Sequence, residues 1–563
     1  MKLNGSEILM EALLAEGVNT VFGYPGGAVL NIYDALYKYS DKIMHVETSH
    51  EQGASHAADG YARASGKVGV CIATSGPGAT NTVTGIANAY MDSIPMVVIT
   101  GNVPSSLLGL DSFQEVDITG ITMPITKHNF IVDRVENLQS IVRRAFKIAR
   151  SGRPGPVLID IPKDISAALC EYDTKVTEEA APTAAFPPAE AFDRALKLIK
   201  DSKSPFIYAG GGVIAAEAST ELAKLAELVD APVSASLMGK GAYPCDSPRY
   251  VGMLGMHGTK LSAEILKNCD LFIGIGTRFS DRVVTSANTF GVEAKTIHID
   301  IDKAEIGKNL SASTYLLGDA KAILEQLITQ IKPQKLTKWQ QQIDKWRSEF
   351  PTTPPFSKED NAPITPEFIF EVINGKMKPD DIMTTEVGQH QMWAAQYFCA
   401  KKPRTFLSSG GLGTMGFGLG AAIGAACDKS GGKAPFHVIN IAGDGCFHMN
   451  MSELATVSKL NLPIIEVVFH NGVLGMVRQW QKLFYDGRFS QTTLENKTDI
   501  VKIAEAFGIE GIQTKTCKEF KEAIEKAFAE QKPMVIDCII DNDINVLPMV
   551  PAGGDIRKPI LKM

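Results

Sequence analysis

No C-x-x-C pair occurs among the nine cysteines of this 563-residue sequence, and their number is odd. A small disulfide-stapled scaffold is excluded, and reduced thiols in a cytosol-like, cytoplasmic compartment are expected. Positive charge is not in excess either: 56 Lys+Arg face 63 Asp+Glu, a net charge of −7. No nucleic-acid footprint is expected, so a small anionic substrate would need local positive groups. The N-terminal stretch lacks the apolar core of a secretory leader, because Glu7, Glu11 and Glu16 fall within an amphipathic helical pattern. Short-period repeats are absent. One uncharged run, residues 410–427, approaches the length of a membrane span. Its glycines favour a tight turn, and no membrane association is expected.

What is present is a globular composition, 45% hydrophobic and 21% charged, on a chain long enough for several domains. Three long segments repeat one pattern of apolar strand, glycine-containing turn and amphipathic helix. The fold class expected from it is α/β, with three doubly wound parallel sheets. Ser6 is a plausible N-cap and Gly17 a stop for the first helix. Strands are expected at 18–24, 68–74, 96–100 and 157–161, then at 206–209, 271–275 and 296–301, then at 437–442 and 464–469. Residues 170–191 and 348–366 read as linkers. The expected division is 1–170, 190–345 and 366–548, with a Pro/Gly-rich tail at 549–563. The first and third segments are candidates for a shared fold.

The sharpest chemical signal is Gly443-Asp444-Gly445 after one strand, followed by His470-Asn471 after the next. In a parallel sheet both lie at carboxyl ends of strands, where ligands bind. Asp444 and Asn471 supply hard oxygens suited to Mg²⁺. The flanking glycines let backbone N–H groups approach a diphosphate.

This spacing resembles the diphosphate-binding motif of thiamine diphosphate-dependent enzymes, with His470 standing where that family usually has Asn. The resemblance implies that Asn471 and the carbonyl of Val473 join Asp444 as metal ligands. The segment from His50 through Arg63 resembles the region of the family's catalytic glutamate. Glu51 would then hydrogen-bond the cofactor's aminopyrimidine and help generate its carbon nucleophile. In this family that glutamate and the metal site meet between subunits, which implies a homodimer or homotetramer.

Further segments, from Glu16-Gly17-Val18 to Pro551-Ala552-Gly553-Gly554, are similar to the catalytic subunits of the acetolactate synthase (acetohydroxyacid synthase) family. By that resemblance Gln389 and His390 would touch diphosphate oxygens. Gly413 and Met415 would lie under the thiazolium, Met415 as the apolar wedge. Phe113, Gln114 and Lys163 resemble substrate-side residues. Arg282 would hold the second 2-ketoacid's carboxylate, a bidentate task suited to guanidinium. Trp480 would shape the acceptor pocket for 2-ketobutyrate as well as pyruvate.

The middle segment is similar to the family's FAD domain, on Arg153, Gly210, Gly211, Gly212, Leu237, Met238, Met256, His257, Gly276, Thr277, Arg278, Asp300, Ile301 and Asp319. Ser280 replaces an Asp of the family pattern. The function implied is decarboxylation of pyruvate and ligation of the C2 unit to pyruvate or 2-ketobutyrate, in branched-chain amino-acid biosynthesis, with a small regulatory subunit as a partner. Three alternatives remain open: an FAD-free catabolic acetolactate synthase, another thiamine-dependent 2-ketoacid decarboxylase or oxidase, and a non-enzymatic nucleotide-binding scaffold.

Overall fold

A computed structural model describes residues 2–172, 186–285, 290, 294–429, 436–495 and 497–562. Part of the first expected linker, 173–185, lies outside the described residues, as do 286–289 and 291–293 of the middle segment.

The chain opens with β1 (Lys2–Asn4) and a helix, Gly5–Ala15. Asn4, not Ser6, caps this helix: Asn4 accepts the Glu7 N–H, and Glu7 reaches back to the Asn4 N–H. Ser6 is instead buried and donates to the Ser166 carbonyl. Gly17 ends the segment at φ +79°, as its sequence position suggested.

The first sheet comprises β2 (Thr20–Gly23), β3 (Met44–Glu47), β4 (Gly69–Ala73), β5 (Met96–Asn102), β6 (His128–Ile131) and β7 (Pro156–Pro162). Its order is β3-β2-β4-β5-β7-β6, paired in parallel. Strands β5 and β7 are buried along their whole lengths, which explains their near-continuous apolar runs. The covering helix Val135–Arg150 buries Val135, Leu138, Val142, Ala145 and Ala149, a stripe of helical period. A short β8 (Leu169–Glu171) pairs antiparallel with β1.

The second sheet runs β11-β10-β9-β12-β13-β14, built from β9 (Pro205–Ala209), β10 (Val233–Ala235), β11 (Tyr250–Met253), β12 (Leu271–Ile275), β13 (Lys295–Asp300) and β14 (Thr314–Leu317). The third runs β16-β15-β17-β18-β20-β19, from β15 (Ile382–Thr385), β16 (Phe406–Ser408), β17 (Val438–Gly443), β18 (Ile464–His470), β19 (Glu510–Thr514) and β20 (Met534–Ile539). Numbered within each sheet, the first and third share the order 2-1-3-4-6-5, whereas the second is 3-2-1-4-5-6. The chain therefore carries three doubly wound parallel sheets, with the first and third of one topology. Each has a switch point, β2/β4, β9/β12 and β15/β17, and crevices open at the strands' carboxyl ends there.

The uncharged run at 410–427 is a loop followed by the helix Gly418–Lys429. This helix packs on the helix Glu51–Ser65 of the first sheet. Small residues permit the approach: a Cβ on Gly60 would collide with the Ala421 backbone, and one on Gly424 with the Ala57 carbonyl. Its apolarity belongs to this interface. Among the described residues no helix is long and apolar enough to cross a membrane.

The expectation of free thiols needs one correction. Cys245, on the loop after β10, is disulfide-bonded to Cys399 beyond the helix Gln389–Tyr397, with Cα atoms 5.4 Å apart; the other seven cysteines are free. The two are 154 residues apart in sequence, so no local spacing announces them.

Candidate active site

At the β15/β17 switch point, the loop after β15 faces the turn after β17. The His390 ring lies so close to Gly443 and Gly388 that a Cβ on either would meet it at 2.8 Å. His390 is buried, and burial pushes its pKa down to about 3, so it is a neutral imidazole here. Asp444 opens the helix Asp444–Asn450 directly after β17, and Asn471 follows β18 directly, the strand-end placement their spacing predicts.

One Asp444 oxygen accepts the N–H of Gly445 at 3.0 Å and the other that of Gly472 at 2.9 Å. These bonds cross from the β17 turn to the β18 turn and set the carboxylate beside Asn471. Asn471 Oδ1 accepts the Val473 N–H, closing a tight turn. Burial raises the pKa of Asp444, a strain that a bound cation would relieve. Among the described residues no three His, Cys, Asp or Glu side chains converge on a metal-sized space. What the two turns offer is one carboxylate with amide and carbonyl oxygens, a donor set that fits Mg²⁺ and disfavours softer ions.

His470 has a defined structural partner. Its Nδ1 is 2.9 Å from the buried Asp537, and its Nε2 is 3.9 Å from Asp444. Asp537 raises the pKa of the imidazole. Gln389 donates to Gln479 at 3.1 Å and to the Ile544 carbonyl at 3.0 Å, while its buried Oε1 has no hydrogen-bond partner. The resemblance assigns that side chain to diphosphate; here its donor is turned toward the C-terminal segment.

A cavity of about 940 Å³ opens between the second and third sheets. All fourteen residues that the resemblance assigns to flavin line it, Arg153 on the first sheet's segment included. The β9/β12 switch point forms one wall. There Gly212 donates to the Gly276 carbonyl, and a Cβ on Gly212 would lie 2.6 Å from Gly276 Cα. Only glycines permit that approach, and it leaves an open shelf at the strand ends for a flat ligand. The lining is rich in apolar groups, with Arg153 and Arg278 among its cations and Asp300 and Asp319 among its carboxylates, a mixed setting that fits a dinucleotide carrying both phosphates and hydroxyls.

The same cavity continues to Gly413, Met415, Trp480 and Arg282. Met415 is fixed by its neighbours. Gly413 and Gly416 have φ of +70° and +89°, and the Gly416 N–H donates to Glu386 at 2.7 Å. Glu386 also accepts from Leu419 and Asn450, and burial lifts its pKa to about 7. The Met415 side chain then turns toward Gly445, a Cβ on which would lie 3.8 Å from Met415 Cε. Arg282 reaches Met256 Sδ at 3.7 Å and is otherwise largely open to solvent. Trp480 lies on the helix Gly475–Phe484, its ring 5.4 Å from that of Phe484.

Glu51, Phe113, Gln114 and Lys163 do not line this cavity. They belong to the first sheet. Glu51 begins the helix Glu51–Ser65, buried, and accepts from Asn81 at 2.9 Å. A Cβ on Gly78 would lie 3.1 Å from Glu51 Oε1, and one on Gly76 would lie 2.9 Å from Gln114 Cα, so Glu51 and Gln114 flank one turn after β4. Gln114 holds φ +60°, and Phe113 beside it is 88% exposed. Lys163 follows β7 at the start of a short helix. Within one chain, then, three groups form: Glu51 with Gln114; Met415 with Arg282, Trp480 and the flavin-type lining; and Asp444 with Asn471, Gln389 and His390, which do not line that cavity either.

Sequence reasoning passed over Glu386, Asp92 and Gln479. Glu386 carried a readable signal, an acid directly after an apolar strand. Asp92 and Gln479 carried none, because their partners are remote in sequence.

Two switch points of one topology, a third of another between them, and a carboxylate set among amide and carbonyl oxygens at strand ends define a class. The chain belongs to the thiamine pyrophosphate enzymes: their N-terminal TPP-binding, central and C-terminal TPP-binding domain models match residues 3–121, 192–327 and 386–538. Within that class its relatives are acetolactate synthase large subunits. It is 46% identical to the probable acetolactate synthase large subunit of Methanocaldococcus jannaschii, over 99% of this chain and 96% of that one. It is 44% identical to the acetolactate synthase isozyme 2 large subunit of Escherichia coli strain K12, over the full length of both. The acetolactate synthase large subunit of Corynebacterium glutamicum is 45% identical, over 98% of this chain and 89% of that one.

Proposed function

We propose that this chain is the catalytic large subunit of an acetolactate synthase, joining the C2 unit of pyruvate to pyruvate or 2-ketobutyrate in branched-chain amino-acid biosynthesis. The observation that carries this reading is the continuity of one cavity from the Gly210–Gly212 and Gly276 shelf to Met415, Arg282 and Trp480. Bound thiamine diphosphate would supply the carbon nucleophile and the electron sink for decarboxylation. Asp444, Asn471 and the Val473 carbonyl would hold Mg²⁺, which would neutralise the cofactor's diphosphate charge. Met415, on the loop that Glu386 holds through the Gly416 N–H, would supply an apolar contact to the cofactor. Arg282 pairs with the carboxylate of the acceptor ketoacid, and Trp480 bounds the space for its alkyl group. The glycine shelf, Arg153 and Arg278 hold FAD.

Glu51 acts on the cofactor of a second copy. It shares no cavity with Met415 in its own chain, and its segment exposes Leu110, Phe113 and Met123. The third sheet's segment likewise exposes Met449, Val477 and Tyr485. Burying both in a homodimer would cover this apolar surface and complete the site. We divide the chain accordingly into a pyrimidine-side unit (1–170), a flavin unit (190–345), a diphosphate unit (366–548) and a tail (549–563). The chain acts in the cytoplasm. Its relatives are named large subunits, and a small regulatory subunit is the partner we propose for it.

The test is product analysis of the purified protein with pyruvate alone and with added 2-ketobutyrate, after recording its visible spectrum. Acetolactate and acetohydroxybutyrate from a yellow protein are expected. Acetaldehyde or acetyl phosphate as the main product would overturn the reading, and a colourless active protein would favour the flavin-free form.

A further inference from the structure

The helix Val83–Asp92 ends in the cavity wall, at a place where all three sheet units touch. Its last residues, Met91 and Asp92, and Ser93 just beyond it each bond to a different part of the molecule. The Asp92 side chain is fully buried, and its two oxygens accept the consecutive N–H groups of Gly410 and Gly411, at 3.0 and 2.7 Å. Gly411 is pressed so close that a Cβ would lie 2.8 Å from Asp92 Oδ1 and 3.0 Å from Met91 Cβ. These glycines begin the loop that carries Met415. Glu386 holds its far end through the Gly416 N–H, and Asn88, on the same helix as Asp92, bonds Ser409. The loop is therefore hung between two buried carboxylates.

On either side of Asp92 stand residues of the flavin half. Arg278 donates to the Met91 carbonyl at 2.6 Å, and Arg153 donates to the Ser93 hydroxyl at 2.7 Å. Both guanidiniums line the cavity. Arg153 also pairs with Glu305, at 2.9 Å. Arg63 clamps Asp92 from behind at 2.9 Å and also pairs with Asp59. Each guanidinium has five donors, and one from each is committed to the helix end.

We propose that Asp92 is a positioning residue that couples occupancy of the flavin half of the cavity to the geometry of the thiamine half. The inference rests on the acetolactate synthase reading above. An anionic dinucleotide that engages the remaining donors of Arg278 and Arg153 immobilises both guanidiniums. The Met91 carbonyl and Ser93 hydroxyl are then held on both sides of Asp92. Asp92 in turn fixes the Gly410 and Gly411 N–H groups, and Met415 four residues on is preset for the thiamine cofactor. The proposed decarboxylation and carbon–carbon ligation involves no net oxidation or reduction, so a bound flavin would acquire a positioning task. By linkage the effect is reciprocal: thiamine diphosphate tightens flavin by the same factor.

The experiment is calorimetric titration of thiamine diphosphate with Mg²⁺ into the full-length protein, flavin-free and FAD-saturated. Flavin should tighten thiamine diphosphate by at least about five-fold, the low end of ordinary site-to-site coupling. In Asp92→Asn, which keeps the side chain's shape but loses one acceptor and the charge, both cofactors should still bind while the ratio collapses to within about two-fold. A merely structural lesion would weaken both affinities and leave the ratio intact. Arg278→Gln, measured at flavin saturation by absorbance, should lose the coupling from the other end, and it decides the matter should Asp92→Asn fail to fold. Wild-type protein that binds both cofactors independently would overturn the inference, as would Asp92→Asn or Arg278→Gln with an undiminished ratio. Wild-type protein that binds neither cofactor would instead overturn the function proposed above.

Discussion

Glu453 accepts the backbone N–H of His50 at 3.0 Å, so the residue immediately before Glu51 is anchored by the third sheet's segment of its own chain. The same carboxylate accepts the Ser49 N–H with both oxygens and the Thr456 hydroxyl. Glu51 thus starts its helix from a fixed point, with Asn81 holding one carboxylate oxygen. A carboxylate placed this rigidly suits proton transfer at a fixed ring atom. Glu51→Gln should lower kcat by at least about 10²-fold, the low end for a lost acid–base group. Thiamine diphosphate affinity by calorimetry should change little. Normal turnover in this variant would remove Glu51 from the mechanism.

Asp444 bridges the turns after β17 and β18, through Gly445 and Gly472. Outer-shell losses at metal sites cost about 10–100-fold in affinity, and removing the ligand itself should cost no less than about 100-fold. Asp444→Ala is therefore expected to weaken Mg²⁺ and thiamine diphosphate together, which titration of each against the other would show. Retention of both at wild-type affinity contradicts the ligand role.

Glu466 lies buried on β18, with both oxygens 2.9 Å from the Asn440 amide, and burial raises its pKa to about 8 from an ordinary 4.5. The folded state holds its proton more tightly than the unfolded chain does. Its favourable contribution is complete below pH 4.5 and is lost as pH rises through about 8. Glu466→Gln carries no such titration. The stability of the Gln variant relative to the parent should rise across that window, read as urea midpoints at a series of pH values. A constant difference from pH 5 to about 8 would contradict the buried-acid assignment.

Gly424 faces the Ala57 carbonyl across the two packed helices, with no room for a side chain. Gly424→Ala gains helix propensity, yet overpacking of this kind costs about 1–3 kcal/mol. A lower urea midpoint is expected, along with reduced turnover, because the opposing helix begins at Glu51. An unchanged midpoint would mean that the helices separate freely.

The strands were the most legible part of this chain. Residues 271–275 form β12 to the residue, and 464–469 falls one residue short of β18. Strands buried on both faces must be apolar throughout, and glycine or an acid follows where the chain turns into solvent or toward a ligand. The strand-end placement of Asp444 and Asn471 was legible for that reason. The first helix cap was misassigned because Ser6 and Asn4 are chemically equivalent candidates. Capping depends on which of them leaves the helical conformation, and packing against Ser166 drew Ser6 inward.

What the amino-acid order by itself settled is local: strand, turn, glycine and the oxygen atoms at strand ends, each dictated by burial and backbone freedom within a few residues. Strand order, and with it the kinship of the first and third sheets, was decided only in three dimensions, as was the partition of Glu51 from Met415. The Asp92 clamp on a loop 318 residues away, and the bond between Cys245 and Cys399, arise only when separate sheets come together. Such contacts depend on which backbones lack a side chain at the point of approach, and no neighbour in sequence records that.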